Sequence, residues 1–343
     1  IMLSHNTPEL FTSLTHLRIG RFDSFHYCSL APGLQQCYPK TNGVSTIRNM
    51  LEAPILRLWI WSVGTLTCVG NLIVLSGRSV EIEDKYHVNF AMKNLAVADF
   101  LMGIYLFIIG SLDSMYRNIY NTYTFAWKTS WGCTIVGAMG LVSSEVSVLI
   151  ITFTSIERFV SISFPFENFR RKNLTFILMG LSWGLGLFMA FLPALIWERG
   201  DFYGNNGMCI PLQLEDFDLP GWVYSVTIFI GLNSISIVTL IVVYSWMFLS
   251  IRMSGQAVNT NRCDKIFAVR FLLIVLTDCL CWLPIIVVKI AVLSGKKFPN
   301  QVYPWMIIVF LTINSTLNPF IYSFSTTKFR AQISKMWSRY KFG

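Results

Sequence analysis

The fold is decided by the stretch from Cys133 to Phe159, which reads CTIVGAMGLVSSEVSVLIITFTSIERF. It is longer than the roughly 20 apolar residues that a helix needs to cross a bilayer. Its one internal acid is Glu145, and it ends in Glu157-Arg158-Phe159. Six further stretches resemble it in length and apolar character. Backbone polar groups find no water inside a membrane, so each stretch is predicted to be a helix. The seven predicted spans are residues 55–76, 90–111, 133–156, 174–197, 222–251, 266–293 and 303–324.

The composition supports the same class. Hydrophobic residues make up 54% of the chain and charged residues 13%, against about 45–50% and about 25% in soluble domains. The apolar runs also lack the alternation over ~10 residues that strands of a membrane barrel show. We therefore predict an all-α membrane protein, built as a seven-helix bundle.

Lysine and arginine predict the orientation. Most of them lie in the loops that follow spans one, three and five and in the tail after span seven. These segments face the cytoplasm if the N-terminus is outside, in agreement with the positive-inside rule. The net charge of +9 is then explained by anionic membrane lipid rather than by nucleic acid as a partner. The chain begins at Ile1 without a signal peptide, so a fragment of a longer secretory-pathway protein is expected.

Four of the eight cysteines fall on the oxidising outer side: Cys28, Cys37, Cys133 and Cys209. Four cysteines allow three pairings, and the spacing alone does not choose among them. The cysteines do not stand at metal-site spacing with histidine, so we expect no zinc site.

Three motifs, in this order and each on a predicted span, resemble the rhodopsin-like G-protein-coupled receptors. They are Glu157-Arg158-Phe159, Cys281-Trp282-Leu283-Pro284 and Asn318-Pro319-Phe320-Ile321-Tyr322. Residues 3–6 and 14–19 fit parts of a leucine-rich repeat. With Phe25-His26-Tyr27-Cys28 and Asn42-Gly43-Val44-Ser45, the chain is most similar to the relaxin-receptor branch and its invertebrate relatives.

The resemblance implies four parts. Residues 1–24 end a leucine-rich-repeat ectodomain, 25–54 form a cysteine-containing hinge, 55–325 form the transmembrane domain, and 326–343 form an amphipathic helix on the membrane surface. It also implies a Cys133–Cys209 disulfide that ties an outer loop over the bundle. Cys28 and Cys37 then close a short loop, unless they pair with a missing N-terminal part.

Three acids inside the predicted spans are candidate functional residues: Asp99, Glu145 and Asp278. A charge in a membrane span costs about 2.5–3.5 kcal/mol, so a retained one marks a functional-site hypothesis. Polar residues accompany them, namely Asn71, Ser147, Asn314 and Asn318. The network is either structural glue between helices or a switch with two arrangements, and the motif order favours the switch.

The resemblance assigns two roles within this network. Asp99, Ser147, Asn314 and Asn318 would line a pocket for a sodium ion, and oxygen ligands suit a hard cation. No other cofactor is expected. Asp278, where most rhodopsin-like receptors carry an aromatic residue, is expected to accept a hydrogen bond from Asn314 or Asn318 and to hold span six closed.

A second set of candidate residues lies toward the cytoplasm. A buried guanidinium needs partners. Arg158 has Glu157 beside it, and the resemblance implies an ion pair with Asp264, which is otherwise a solvated loop charge. Pro284 is expected to kink span six, with Trp282 beneath the outer cavity. Tyr244 and Tyr322 would turn inward in the open form, and Phe166 would enter a groove of the G protein or simply form a loop turn.

Ligand and reaction class follow from absences and from the resemblance. Gly180-Leu181-Ser182-Trp183-Gly184 matches a hydrolase motif, but it lies in a predicted span without a histidine partner, so we expect no enzyme; packing between helices explains its glycines. A transporter or channel is the other class, and the missing inverted repeat argues against it.

We expect a plasma-membrane receptor for a relaxin- or insulin-like peptide, with a glycoprotein hormone as the alternative. Residues 42–53 would transmit binding, and the relatives imply a stimulatory heterotrimeric G protein and a rise in cAMP.

Overall fold

The computed structural model describes residues 18–22, 25–31, 34–78, 86–163, 171–197, 200–211, 221–253, 262–296, 298 and 305–321. Within these residues the chain is almost entirely helical. The first four spans are the helices Pro54–Arg78, Tyr86–Met115, Trp131–Ser163 and Arg171–Ile196. A short helix, Tyr120–Lys128, lies between spans two and three, and we call it the loop-one helix.

The last three spans are less regular. Span five begins as Trp222–Val226, passes through a π-helical turn at Thr227–Leu232 and continues as Asn233–Met253. Span six is Arg262–Leu293. The described part of span seven consists of the π-helical Trp305–Phe310 and the α-helical Leu311–Pro319. Spans one to six are each long and apolar enough to cross a membrane, by length and composition. The bundle is the predicted all-α membrane fold.

Span three occupies the centre of the bundle. Nearly all of its apolar window is buried, whereas most of span four faces outward. Span three packs against spans two, four and five, and span seven packs against spans one, two and six. Spans one and seven are joined by the Thr67 and Thr316 hydroxyls, 2.6 Å apart, and by the Asn71 amide, which donates to the Ser315 carbonyl at 3.2 Å.

The glycine pair in span four does not pack against another span. A methyl group built on Gly180 or Gly184 would meet nothing within 4 Å among the described residues. The interpretation of this motif as packing within the bundle is therefore wrong for these two positions. Span four instead contacts span two through Trp183, whose indole N–H donates to Asn94 Oδ1 at 3.0 Å.

The π-helical turn in span five forms without a proline. The prolines within described spans lie elsewhere, at Pro193, Pro284 and Pro319. A π-helical turn frees backbone carbonyls from the regular ladder, and side chains can satisfy them. Here the Asn233 amide donates to the Ile228 carbonyl at 3.4 Å, so an asparagine supports the irregularity. The absence of a proline made this bulge doubtful from sequence alone.

The segment before span one folds as a small unit of its own. Strands Ile19–Arg21 and Gln36–Tyr38 pair in parallel, and the 3₁₀ helix Phe25–Leu30 lies between them in sequence. The Cys28–Cys37 disulfide joins that helix to the second strand. Residues 1–17, which hold most of the leucine-repeat pattern, lie outside the described residues, and so does the amphipathic helix expected over 326–343.

Candidate functional site

The polar residues predicted inside the spans come together as one network across the bundle. Asp99 accepts a hydrogen bond from Ser147 Oγ at 3.2 Å and another from the Asn318 amide at 2.8 Å. Asp278 accepts a hydrogen bond from the Asn314 amide at 2.6 Å. Spans two, three and seven therefore meet at Asp99, while spans six and seven meet at Asp278.

The structure separates residues that the sequence grouped together. Asn314 was expected in one pocket with Asp99, but its amide nitrogen points to Asp278. Asn71 donates to the backbone carbonyls of Thr67 and Ser315 instead of to a carboxylate. The oxygens around Asp99 still suit a sodium ion. The Ser147 hydroxyl oxygen contacts the Asp99 carboxylate, and the nearby Asn318 Oδ1 has no hydrogen-bond donor within the described residues.

Glu145 has a partner that the sequence analysis missed. The Asn233 amide approaches Glu145 Oε1 at 3.5 Å, and both residues are fully buried. Asn233 lies at the end of the π-helical turn and also donates to the Ile228 carbonyl. The sequence signal for this contact was Asn233 itself, a polar residue within an apolar span that could pair with the acid Glu145 of span three.

Through one lysine, the outer half of span six contacts span five and, beyond it, the loop between spans four and five, which we call loop two. Lys289 is 3% exposed, and its ammonium donates to Ser225 Oγ at 2.9 Å, while that hydroxyl donates to the Pro211 carbonyl at 2.7 Å. The ammonium also lies 5.7 Å from the centre of the Phe229 ring. Lys289 was not among the residues predicted from the sequence, although it lies inside predicted span six and a charge inside a span is itself a functional signal.

The predicted lever of span six lies just below this contact. Trp282 is 3% exposed and its ring lies 6.0 Å from that of Phe229, within the π-helical turn of span five. Pro284 lies within the same helix two residues later. Movement of the outer part of span six would therefore displace Trp282 and, through its contact with Phe229, span five as well.

At the cytoplasmic end, the structure places part of the predicted switch. Glu157 accepts a hydrogen bond from Thr175 Oγ1 at 2.7 Å, which joins span three to span four. Tyr244 is buried against span three and lies near Ser155 and Arg158. Tyr244 thus lies inside the bundle here, and its role in the open form stays a prediction. The side chains of Asp264, Phe166 and Tyr322 lie outside the described residues.

Loop two is fixed over the bundle. A Cys133–Cys209 disulfide joins it to the outer end of span three. The Tyr105 hydroxyl donates to the Met208 carbonyl at 2.8 Å, and the Trp127 indole donates to the Gly207 carbonyl at 2.9 Å. Cys209 and its neighbour Ile210 are almost fully buried. A ligand on the outer face would therefore meet a loop already fastened to spans two and three.

The hinge is built into the outer end of the bundle as a packed segment. Val44, Met50 and Leu51 are buried in the main hydrophobic core. The Ser45 hydroxyl donates to the Met50 carbonyl at 2.7 Å, and Asn42 Oδ1 accepts from the Ser45 backbone N–H at 2.7 Å. The segment 42–53 therefore has a defined shape that follows from its own side chains.

One carboxylate holds this segment to two spans, and we call the contact the hinge clamp: Leu51, Arg57, Asp113 and Arg117. Asp113, at the outer end of span two, is 2% exposed. Its Oδ1 accepts from the Leu51 backbone N–H at 2.9 Å. Its Oδ2 lies 3.3 Å from Arg57 Nε and 3.1 Å from Arg117 Nη2. Arg57 Nη2 also donates to the Leu51 carbonyl at 2.6 Å.

The loop-one helix extends the clamp toward the outer segment. The backbone N–H groups of Tyr120 and Asn121 donate to the carbonyls of Arg48 and Ile47 at 3.3 and 2.9 Å. The Asn121 amide also donates to the Ala31 carbonyl at 3.1 Å, next to the 3₁₀ helix of the outer segment. Hinge, outer segment and the beginning of the bundle are thus one hydrogen-bonded assembly, a contact that the sequence analysis expected only in general terms.

Lys128 ends the loop-one helix and is 5% exposed. Burial lowers the pKa of its ammonium to about 8, and no carboxylate of the described residues forms an ion pair with it. The unfolded chain therefore holds this proton more tightly than the folded protein does. Stability should rise with pH from about 8 toward the unfolded value, because deprotonation removes the cost of burying a charge.

We expect Lys128→Met to raise the melting temperature of the purified protein at pH 7 by several degrees, and to flatten the increase of that temperature between pH 8 and 9.5. The shift corresponds to about 3 kcal/mol at pH 7. The check is differential scanning fluorimetry across pH, with Lys296→Met as the matched control because Lys296 is exposed. A steep pH dependence that persists in Lys128→Met would contradict the assignment.

These features define a seven-helix membrane receptor. The bundle of membrane-spanning helices has a polar network in its core, an arginine at the end opposite the hinge, and a loop tied to span three by a disulfide. Residues 70–322 match the family described as 7 transmembrane receptor (rhodopsin family). The chain belongs to this family.

The most informative relatives are also receptors. The chain is 38% identical to Relaxin receptor 1 of Homo sapiens over 328 residues, and 36% identical to Relaxin receptor 2 of Canis lupus familiaris over 353 residues. These alignments cover 93% and 99% of the chain but 43% and 47% of the relatives. The chain is also 36% identical to G-protein coupled receptor GRL101 of Lymnaea stagnalis, with 97% of the chain and 30% of the relative covered. It thus spans less than half the length of these relatives.

Proposed function

We propose that this chain is the signalling part of a plasma-membrane receptor for a protein or peptide hormone, with a relaxin- or insulin-like peptide as the favoured ligand. Its N-terminus faces the extracellular side. Hormone binding is passed to a heterotrimeric G protein of the stimulatory type and raises cAMP. The observation that carries this proposal is the hinge clamp, which joins the segment next to the ectodomain to spans one and two through Asp113.

A route from the outer face to the cytoplasm is available. The Leu51 backbone and Arg57 report the position of the hinge to Asp113 at the end of span two. The same span carries Asp99, whose partners Ser147 and Asn318 belong to spans three and seven. Coupling between distant sites needs an element with two arrangements that both sites bias. The polar network supports this role because it joins four spans through side chains that can exchange partners.

We also infer that the oxygens of Asp99, Ser147 and Asn318 hold a sodium ion. Two observations support this site. Every group offers an oxygen ligand suited to a hard cation, and the buried Asn318 Oδ1 has no hydrogen-bond donor among the described residues. Asn314, which the sequence also assigned to this pocket, donates its amide hydrogen to Asp278. The ion would neutralise a carboxylate that is otherwise costly at membrane depth.

The test of the proposed function is a cAMP assay on the full-length receptor at the surface of cells that lack endogenous relaxin receptors. We expect a concentration-dependent rise with at least one relaxin- or insulin-like peptide and no rise with glycoprotein hormones. A response to a glycoprotein hormone alone would favour the alternative ligand class. Solute or ion flux in liposomes containing the purified protein, without nucleotide exchange on an added G protein, would favour a transporter or channel.

A further inference from the structure

Five buried side-chain oxygens in the middle of the bundle lack a hydrogen-bond donor within the described residues. They are Glu145 Oε2, Asn233 Oδ1, Asp278 Oδ2, Asn314 Oδ1 and Asn318 Oδ1. All five are acceptors, and the amide nitrogens of the three asparagines already donate elsewhere. A buried acceptor without a donor is costly. The protein therefore presents a set of oxygens that an electropositive species would complete.

Four of these oxygens belong to residues that make no hydrogen bond to Asp99 within the described residues. Asn314 donates to Asp278 at 2.6 Å, and Asn233 approaches Glu145 at 3.5 Å. In each pair the asparagine amide nitrogen faces the carboxylate, so one carboxylate oxygen and the asparagine amide oxygen are left without a hydrogen-bond donor among the described residues. One turn further out, the Phe229 ring of span five and the Trp282 ring of span six lie 6.0 Å apart. Asn233 and Asp278 each lie four residues from those rings on the same two spans, which brings the two pairs to the same depth. Spans three, five, six and seven each contribute one residue to this group.

We propose that Glu145, Asn233, Asp278 and Asn314 form a second cation site, which holds a small monovalent cation such as sodium separately from Asp99. A cation supplies the missing partner of the amide oxygens and also neutralises carboxylates that are costly at membrane depth. Water could donate hydrogen bonds here, but it would leave that charge in place. Ca²⁺ takes six to eight oxygen ligands, more than the four side-chain oxygens that these residues leave unpartnered.

The second cation site would hold span six against its neighbours. Asp278 lies on span six, whereas its companions lie on spans three, five and seven. A bound ion would therefore favour the arrangement in which span six stays packed, and it would add to the stability of the receptor by an amount that rises with the logarithm of the ion concentration above the dissociation constant. This binding needs neither hormone nor G protein, so its test stands apart from the test of the proposed function.

The test measures the melting temperature of the purified full-length receptor as NaCl replaces choline chloride at constant ionic strength. A site that is filled at about ten times its dissociation constant should raise the melting temperature by about 3 °C. We expect Asp99→Asn to retain part of this sodium response and the double variant Asp99→Asn/Glu145→Gln to lose it. Glu52→Gln is the matched control, since Glu52 is exposed, and it should respond as the wild type does.

The decisive outcomes concern the Asp99→Asn background. A receptor with Asp99→Asn that melts at the same temperature in sodium and in choline would overturn the second site, and so would an unchanged response in the double variant. Binding of ²²Na⁺ to the wild-type receptor provides a measurement that needs no variant to fold. We expect two ions per receptor, and a stoichiometry of one or none would contradict the proposal.

Discussion

Replacing Asp278 by alanine is expected to raise hormone-independent signalling about tenfold or more at equal surface expression. The Asn314 amide donates to this carboxylate at 2.6 Å, and both side chains are buried between spans six and seven. A hydrogen bond to a charged group contributes about 1.5–3 kcal/mol, which changes an equilibrium between two arrangements about 10- to 150-fold. A receptor whose signalling arrangement is rare without hormone would then populate it substantially.

The measurement is cAMP accumulation without hormone, normalised to receptor at the cell surface. Asp278→Asn tests the physical cause, because its side-chain oxygen can still accept from Asn314, so it should raise the signal less than alanine does. Leu280→Ala is the matched control, since Leu280 lies on the same helix and is 65% exposed toward lipid. An unchanged basal signal in Asp278→Ala would show that this contact does not restrain span six.

The spans themselves could be predicted from the sequence because one physical requirement controls them. A helix inside lipid must be apolar and long enough, so the stretch around Glu145 and its six counterparts stand out from composition alone. The polar residues of the core could also be identified, because a charge such as Asp99 is too costly in a span to be retained without a role. Residue type and depth in the membrane decide both conclusions.

The partners within the core could not be predicted in the same way. An asparagine amide offers a donor and an acceptor, and the sequence left open whether Asn314 or Asn318 serves Asp278. The two residues share a face of span seven because they are four positions apart, so their depth along the helix decides this, with Asn314 level with Asp278 and Asn318 level with Asp99. The π-helical turn before Asn233 shifts the register of span five, and nothing in a helical pattern announces such a turn when no proline marks it.

The outer contacts show a similar division. The sequence indicated that residues 42–53 transmit binding to the bundle, but the hinge clamp depends on Asp113. In the sequence this residue lies just past the end of predicted span two and looks like an ordinary charged loop residue. Its function is visible only when three chain segments are brought together. Lys289 is comparable, because its contact with Ser225 depends on how spans five and six face each other.

Neutralising the Asp113 carboxylate should separate hormone binding from signalling. In Asp113→Asn the side chain keeps its size, but the charge that faces Arg57 and Arg117 is lost. Removing one partner of a buried ion pair is costly, about 3–5 kcal/mol, because the remaining charges stay buried. Arg57 is less buried than Asp113, so part of this cost is relieved by water. We therefore expect the potency of the hormone in the cAMP assay to fall at least about tenfold, while labelled hormone still binds the ectodomain.

Two comparisons identify the clamp as the cause. Glu52→Gln also neutralises an acid of the hinge, but Glu52 is exposed, so its dose–response curve should match that of the wild type. Arg57→Gln combined with Asp113→Asn should impair signalling less than the sum of the single changes, because both remove the same interaction. Additive losses would mean that the two residues act independently. A wild-type response in Asp113→Asn at equal surface expression would mean that the hinge signals through contacts other than this carboxylate, such as those between Ile47 and the loop-one helix.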